Sequence, residues 1–318
     1  MGPLIFTPYL RPMVWGGRRL GERLHKPLPD AQLYGESWEV SDHSSYASFV
    51  ANGPLAGISL RELMTNRRTE LLGQAADKYS VFPWLVKYLD CHDWLSVQVH
   101  PNDELVKKWW PGEGGKTEVW FILEAQPGSR VYAGLLPGVD EKTLRAALAK
   151  GTVAECLHSF EPQAGDSVFL PAGTVHAVGG GVLMAEIQQT SDATFRLFDW
   201  NRVDTQGKSR TLHIEEALAC IDWKAGPVRA VHANGPRQTL ATCPFFQLEY
   251  WSNAGEVGVG GQNTLHLLIP TSGAGKLLTA QGPQAVQAGQ VWVLPADLPT
   301  QRCISESGFA CLICTLPI

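Results

Sequence analysis

The sequence predicts a mainly β fold made of two barrel-like units, the first carrying inserted helices and the second a degenerate copy. Three observations support this. Glycine (32) and proline (21) break the chain into many short apolar runs, as expected of strands joined by turns. Helical spacing is confined to three segments. One strand-turn pattern also occurs twice: Ala164-Gly-Asp-Ser-Val-Phe-Leu-Pro-Ala-Gly173 is echoed by Ala288-Gly-Gln-Val-Trp-Val-Leu-Pro-Ala-Asp297, so Gly165 matches Gly289 and Pro171 matches Pro295.

Along the chain, the runs "SWEVSD" and "SYASFV" come first. Trp38 and Glu39 lie on the former, with Ser41 on the face of Glu39, and a covering strand of the barrel is their expected role. Ser59-Leu-Arg-Glu62 is a capping box that opens a helix through about Leu72. The runs "WLVKYL", "WLSVQVH", "EVWFIL" and "SRVYAG" read as strands. A second helix is expected from Asp140 to about Leu157. "SVFLPAG" and "GVLMAEIQQ" are further strands, and "HIEEALACI" belongs to a third helix from about Thr211. After about Val228 the pattern is all β, through "TLHLLIP", "VWVLPAD" and "FACLICTL". The expected division is therefore 1–228 for the first unit, with its N-terminal strands and helical insertions, and 229–318 for the second.

Composition excludes several classes. With 44% hydrophobic and 18% charged residues the chain has ample core. A formal charge of −5 and a pI near 6.0 give no overall attraction to nucleic acid or to an anionic membrane, so an anionic ligand has to be met by local Lys and Arg. No stretch approaches the apolar length of a membrane span, and the N-terminus has no basic region followed by an apolar core. Met1-Gly2 begins like a myristoylation signal, but Phe6 stands where Ser or Thr is required. A cytoplasmic location is expected. Seven scattered cysteines, an odd number, indicate reduced thiols. Cys311-Leu-Ile-Cys314 has chelating form, but residues three apart on a strand face opposite sides, so packing is expected.

Gln98-Val-His100, Glu118 and His176 each stand at the end of a stretch that reads as a strand. Two imidazoles, a carboxylate and an amide together describe a metal site. Period-2 alternation puts Gln98 and His100 on one face. His176 closes a G-x5-P-x-G-x2-H spacing, in which Gly165 turns the chain into an apolar strand and Pro171 and Gly173 turn it again. A lone strand histidine is more often a satisfied polar residue than a ligand; the set carries the argument. In the second copy the position of His176 is Thr300, and only the isolated His266 stands nearby. That unit is expected to lack metal ligands.

The G-x5-P-x-G-x2-H spacing resembles the second motif of cupins, jelly-roll barrels that hold a metal near the mouth. Gln98-x-His100 departs from their His-x-His. "FPWLVKYLD", "LSVQVHPND", "GKTEVWFIL" and "PAGTVHAVGGGVLMAEIQQTSDATFRLFDW", with "YGESWEVSDH" upstream, resemble the type I phosphomannose isomerases, zinc-dependent enzymes that interconvert mannose 6-phosphate and fructose 6-phosphate. The resemblance covers roughly residues 5 to 220 and continues weakly to the end. It implies a cupin (jelly-roll) barrel with inserted helices and a second, degenerate cupin-like C-terminal domain. It also implies one Zn2+ held by Gln98, His100, Glu118 and His176, other divalent metals being compatible, and a phosphorylated hexose as partner. Arg196 matches the family's active-site arginine. Lys116, Lys87 and Ser96 match polar residues of its pocket, and Glu186 and Asp192 its acidic positions. An extra glycine in Gly179-Gly180-Gly181 shifts the last positions by one relative to longer members.

Isomerisation needs a proton removed beside a carbonyl, a stabilised cis-enediol(ate) and a proton returned to the neighbouring carbon. A metal ion meets the second need. Asp192 and Lys116 are the candidates for moving the proton, each with a plainer alternative as an orienting or hydroxyl-binding group. Arg196 is expected to face the reacting sugar. For the phosphate the pool is Arg196, Lys87, Arg202, Lys208 and Arg210, with Ser96 as a neutral donor. The family match favours Lys87 and Ser96, with Arg202 and Arg210 as neighbours. Two other functions fit parts of the pattern. Two His and a carboxylate also suit an iron-dependent cupin dioxygenase, which Gln98 as a fourth ligand opposes, and a non-catalytic sugar-phosphate sensor shares the pocket. Monomer and homodimer are both compatible with the sequence.

Overall fold

The computed structural model describes residues 1–203, 207–252, 255–306 and 308–317. The chain opens with strand β1 (Tyr9–Gly17), the short helix α1 (Arg19–Glu22), β2 (Tyr34–Val40) and a hairpin of β3 (Asp42–His43) and β4 (Tyr46–Ala47). Two helices follow, α2 (Leu60–Asn66) and α3 (Arg68–Leu72). Ser59 caps the first in the expected capping box, but the single helix read through Leu72 breaks at Arg67, where φ is −138° and ψ is 27°. Thr65 and Asn66 are weak helix formers and do not carry the turn through. Ser59→Ala is expected to cost about 1 kcal/mol, read as a lower unfolding midpoint in urea.

The chain continues through β5 (Trp84–Cys91), β6 (Val97–Val99), α4 (Asp103–Trp109), β7 (Glu118–Ala125), β8 (Arg130–Leu135) and α5 (Glu141–Lys150). Helix α4 is absent from the sequence reading. Its signal is Asn102, whose side chain accepts from the N–H groups of Glu104 and Leu105. Helix α5 starts at the Asp140 cap but ends at Gly151, in the left-handed conformation (φ 72°), and not near Leu157. Next come β9 (Leu157–Phe160), β10 (Asp166–Leu170), β11 (His176–Gly179), β12 (Val182–Gln189), β13 (Phe195–Phe198), α6 (Ile214–Cys220) and β14 (Val231–His232). Residues 211–213 stay outside the helix: Thr211 O accepts from Arg196 Nη1 and His213 N donates to Arg196 O, which holds them beside β13. The third helix therefore begins at Ile214.

These strands form two antiparallel sheets, ordered β1-β2-β5-β12-β7-β10-β14 and β13-β6-β11-β8-β9. They pack face to face through Leu89, Trp120, Ile122 and Met184 on one side and Val131, Ala133 and Val178 on the other. The remaining chain forms β15 (Arg237–Thr242), β16 (Gln247–Ser252), β17 (Glu256–Val259), β18 (His266–Ser272), β19 (Ala274–Thr279), β20 (Gly282–Gln287), β21 (Trp292–Leu294), β22 (Gln301–Ser305) and β23 (Ala310–Thr315). They make a second pair of sheets, β15-β16-β23-β18-β21 and β17-β22-β19-β20. The repeated glycines play the same part in both units: Gly165 and Gly289 have φ of 93° and 88°, which favours a residue without Cβ. β14 lies past Val228 and still pairs with β10 of the first sheet.

The two large sheets turn their second faces toward each other. Trp84, Val86, Tyr88, Phe121 and Ile187 share one core with Leu248, Leu267, Ile269, Leu312 and Cys314. Strand alternation divides the Cys311 and Cys314 pair as expected: Cys314 enters this shared core and Cys311 the core inside the second unit. All seven cysteines are free. The same alternation points Lys87, Glu118 and Glu186 into the first unit, in line with the apolar Leu89, Trp120 and Met184. One end of that interior is therefore apolar and the other charged, and the site lies at the charged end.

Candidate metal centre and adjoining pocket

His100 directly follows β6, whereas Glu118 and His176 are the first residues of β7 and β11. The reading that all three close strands is corrected for the last two, and antiparallel pairing explains it: the end of β6 meets the start of β11, with His176 opposite Gln98. One nitrogen or oxygen from each of His100, Glu118 and His176 falls within 4.8 Å of the others, and all three residues are buried. His100 Nδ1–H donates to Ala193 O and His176 Nδ1–H to Thr174 O, both at 2.9 Å. Each ring is therefore left with an Nε2 lone pair turned inward, toward Glu118 at 3.5 and 3.4 Å. Outer hydrogen bonds of this kind set the tautomer of a metal-ligating histidine.

Electrostatics agree with that arrangement. Burial first and Lys116 second push the His100 pKa down to about 4, and burial lowers that of His176, so both rings are neutral near pH 7. Burial acts to raise the Glu118 pKa, but the Lys116 ammonium outweighs it and holds the carboxyl well below the usual range. Both Glu118 oxygens are buried and neither makes a well-directed hydrogen bond among the described residues, although the Lys116 ammonium pairs with Oε2 at 3.0 Å. A buried, ionised carboxylate with one oxygen free of any cation partner, facing two imidazole lone pairs, fits a divalent cation. Gln98 Nε2 lies 3.3 Å from His176 Nε2 and its Oε1 3.5 Å from Ser96 Oγ. Turning the amide over presents the oxygen to the same point and leaves Ser96 Oγ to accept from the nitrogen.

Above these residues lies a cavity of about 230 Å³ that reaches them through Gln98 and Lys116. Lys116 is 4% exposed, with Nζ 3.2 Å from His100 Nε2 and 3.0 Å from Glu118 Oε2. Along one wall stand Lys87, Glu186 and Asp192. Lys87 Nζ is 3.4 Å from Glu186, 3.8 Å from Asp192 and 3.9 Å from Glu36. Although burial acts to lower its pKa, these carboxylates raise it above the ordinary lysine value. Asp192 is likewise held ionised: burial raises its pKa, and Lys87 and Arg11 lower it further than that.

The other wall is cationic. Arg196 lies opposite Gln98 across the β6–β13 pairing, and its Nη1 donates to Thr211 O at 2.8 Å. Arg210 and Arg202 both bind Asp199, Arg210 through Nε at 2.7 Å and Arg202 through Nη2 at 2.6 Å. Two guanidinium groups thus share the buried Asp199 carboxylate, and Arg202 Nη1 also stands 3.5 Å from Asp93. Burial, then Arg210, lowers the Arg196 pKa. Arg196, Arg210 and Ser96 line the cavity.

Arg11 and Glu36 line the same cavity and were not marked in the sequence. Arg11 Nη1 is 3.0 Å from Glu36 and 3.3 Å from Asp192. Glu36 shares the strand face of Trp38, whose Nε1–H donates to it at 2.7 Å, so alternation from Trp38 was the available signal. Glu39 faces away and binds Lys26 at 2.6 Å, as a covering strand requires. In the second unit His266 Nδ1 binds Thr264 O at 2.8 Å, a local copy of the His176 arrangement. The described residues hold no second group of metal-capable side chains around it.

Residues 5–147 match the family described as phosphomannose isomerase type I, catalytic domain, a stretch that includes every residue of the metal set except His176. A mannose-6-phosphate isomerase of Streptococcus mutans is 36% identical over 299 residues, covering 92% of each chain. The crystal structure of a mannose 6-phosphate isomerase from Bacillus subtilis superposes with a TM-score of 0.88 at 28% identity, over 99% of both chains. A zinc-bound mannose 6-phosphate isomerase structure shares the fold at 17% identity, with a TM-score of 0.77 and 99% of this chain covered.

Proposed function

The chain belongs to the type I phosphomannose isomerases, and we infer from that membership and from its pocket how it interconverts mannose 6-phosphate and fructose 6-phosphate. The observation that carries the reading is the buried Glu118 carboxylate facing the inward Nε2 lone pairs of two neutral histidines at the floor of the cavity. Zinc is the proposed ion, held by His100, Glu118 and His176 with Gln98 as fourth ligand. When bound, it supplies a Lewis acid for adjacent oxygens of the open-chain sugar. A weak amide ligand suits a site that has to admit substrate. Membership in this family favours turnover over the dioxygenase and sensor alternatives.

The chain's own residues divide the remaining work. A proton leaves C2 of the aldose and returns to C1, and Lys116 and Asp192 flank the cavity as the groups to move it. Because Lys87 and Arg11 hold Asp192 ionised, it accepts a proton only through close placement against the carbon. Lys87 is committed to Glu36, Glu186 and Asp192, which leaves no unmatched charge for a dianion. We therefore assign the phosphate to Arg210, with Ser96 as a neutral donor and Arg202 as a neighbour that shares Asp199, where three guanidinium groups stand against two carboxylates, Asp199 and the half-exposed Asp93. Glu186, bound by Trp120 Nε1 at 3.0 Å, keeps Lys87 in place. Arg196 adjoins Gln98 and is kept at the reacting end. Arg196→Lys is expected to lower kcat far more than it raises KM; an unchanged kcat with a large rise in KM would move Arg196 to the phosphate.

The test is a coupled assay for fructose 6-phosphate formation, run before chelation, after it, and after zinc is restored. Loss and recovery of turnover support the reading, and activity that survives full removal of metal overturns it. In the same reading residues 229–318 form a degenerate cupin-like unit without metal ligands. No described helix is long and apolar enough to cross a membrane. The free thiols support a cytoplasmic location.

A further inference from the structure

Glu113 sits in the loop between α4 and β7, yet its side chain is only 13% exposed. Its Oε1 is 2.8 Å from His43 Nε2. The backbone N–H of Ser45 donates to His43 Nδ1 at 3.2 Å, so Nδ1 is the accepting nitrogen and Nε2 carries the proton given to Glu113. Its Oε2 accepts from the Ser191 hydroxyl at 3.3 Å and from the backbone N–H of Asp192 at 3.2 Å. The same loop continues to Ala193, whose N–H donates to Ser191 Oγ and whose carbonyl takes the Nδ1–H of His100. One carboxylate therefore joins the β3–β4 hairpin, the loop before β7 and the loop between β12 and β13. Burial acts to raise its pKa, and the hydrogen bond from His43 leads the contacts that hold it below the ordinary value.

Asp192 needs such an anchor. Its side chain is one-third exposed and reaches Arg11 and Lys87 only at 3.3 and 3.8 Å. Gln188 Nε2 holds the carbonyl of Ser191, but the only partner of the Asp192 N–H among the described contacts is Glu113. A displacement of about 1 Å in a reacting group costs on the order of 100-fold in rate.

We propose that Glu113, held by His43, is a positioning residue for isomerisation that sets the Asp192 carboxylate against the substrate. The proposal rests on the reading of Asp192 as a proton-handling group. It is tested with Glu113→Ala, Asp192→Asn and the double variant, all zinc-loaded, measuring kcat and KM for mannose 6-phosphate, metal content and thermal midpoint. Glu113→Ala should lower kcat about 10- to 100-fold with KM within about 2-fold and metal near wild type. The double variant should fall no further than Asp192→Asn alone, because both changes remove one function. Glu113→Gln, which keeps an acceptor for the Asp192 N–H, should recover part of the loss, and it carries the same cycle if Glu113→Ala does not fold. Losses that multiply in the double variant, or a drop in kcat fully explained by lost metal, overturn the proposal. Near-normal Glu113→Ala beside a crippled Asp192→Asn overturns it alone. Normal turnover in Asp192→Asn removes the reading of Asp192 and this proposal with it.

Discussion

His176→Ala is expected to lose bound metal and turnover together while keeping the β-sheets. The side chain is 1% exposed and its role is local: Nε2 faces Glu118, and Nδ1–H is spent on Thr174 O. Strand β11 does not depend on the ring, because its backbone pairs with Gln98 on one side and Ala133 on the other. Removing one neutral imidazole from so small a set costs most of the affinity. It leaves the Thr174 carbonyl without a partner, at about 1–3 kcal/mol, so a lower but cooperative unfolding transition should remain. Elemental analysis should find about one ion per chain in the parent and close to none in the variant. Metal retained with normal turnover would end the assignment. A second ion beside His266 would show that the C-terminal unit is not degenerate.

Lys116→Ala should be nearly as damaging, by a different route. Its ammonium is the buried group that stands at both the cavity and the metal set, 3.0 Å from Glu118 and 3.2 Å from His100. Deleting a group that moves a proton in the transition state lowers kcat by about 100- to 10,000-fold. Metal should be held as well or better, because a cation beside the ligands has been removed. Lys116→Arg should not restore the rate, since a guanidinium does not give up its proton. Steady-state kinetics on the metallated variants decide the matter. A rise in KM alone, or an active Lys116→Arg, would reduce Lys116 to a hydroxyl-binding group.

The sequence was most informative where the physics is local. A G-x5-P-x-G-x2-H spacing encodes a turn and the residue that leaves it, and period-2 alternation encodes which side chains share a face. Ser59 and Asp140 marked helix starts because a cap acts within three residues. Helix ends were harder. The break at Arg67 reflects weak propensity at two positions, and the late start of α6 follows from Arg196 drawing residues 211–213 onto β13, a contact between segments.

The mainly β class and the candidates for the metal site were thus legible in the sequence alone, since Gln98-x-His100 and the G-x5-P-x-G-x2-H spacing each involve residues a few positions apart, whereas strand pairing is what brings His100, Glu118 and His176 together. Tertiary structure alone decided the surroundings of that site. Arg11, Glu36, Lys87 and Glu186 meet because β1, β2, β5 and β12 are neighbours in one sheet, the loop after β12 adds Asp192, and that pairing makes Lys87 a matched cation. Glu113 reaches His43 and Asp192 across 70 and 79 positions of chain. Such partners depend on strand order, and strand order is set by which faces bury together in the whole molecule, a sum over all segments that no single motif contains.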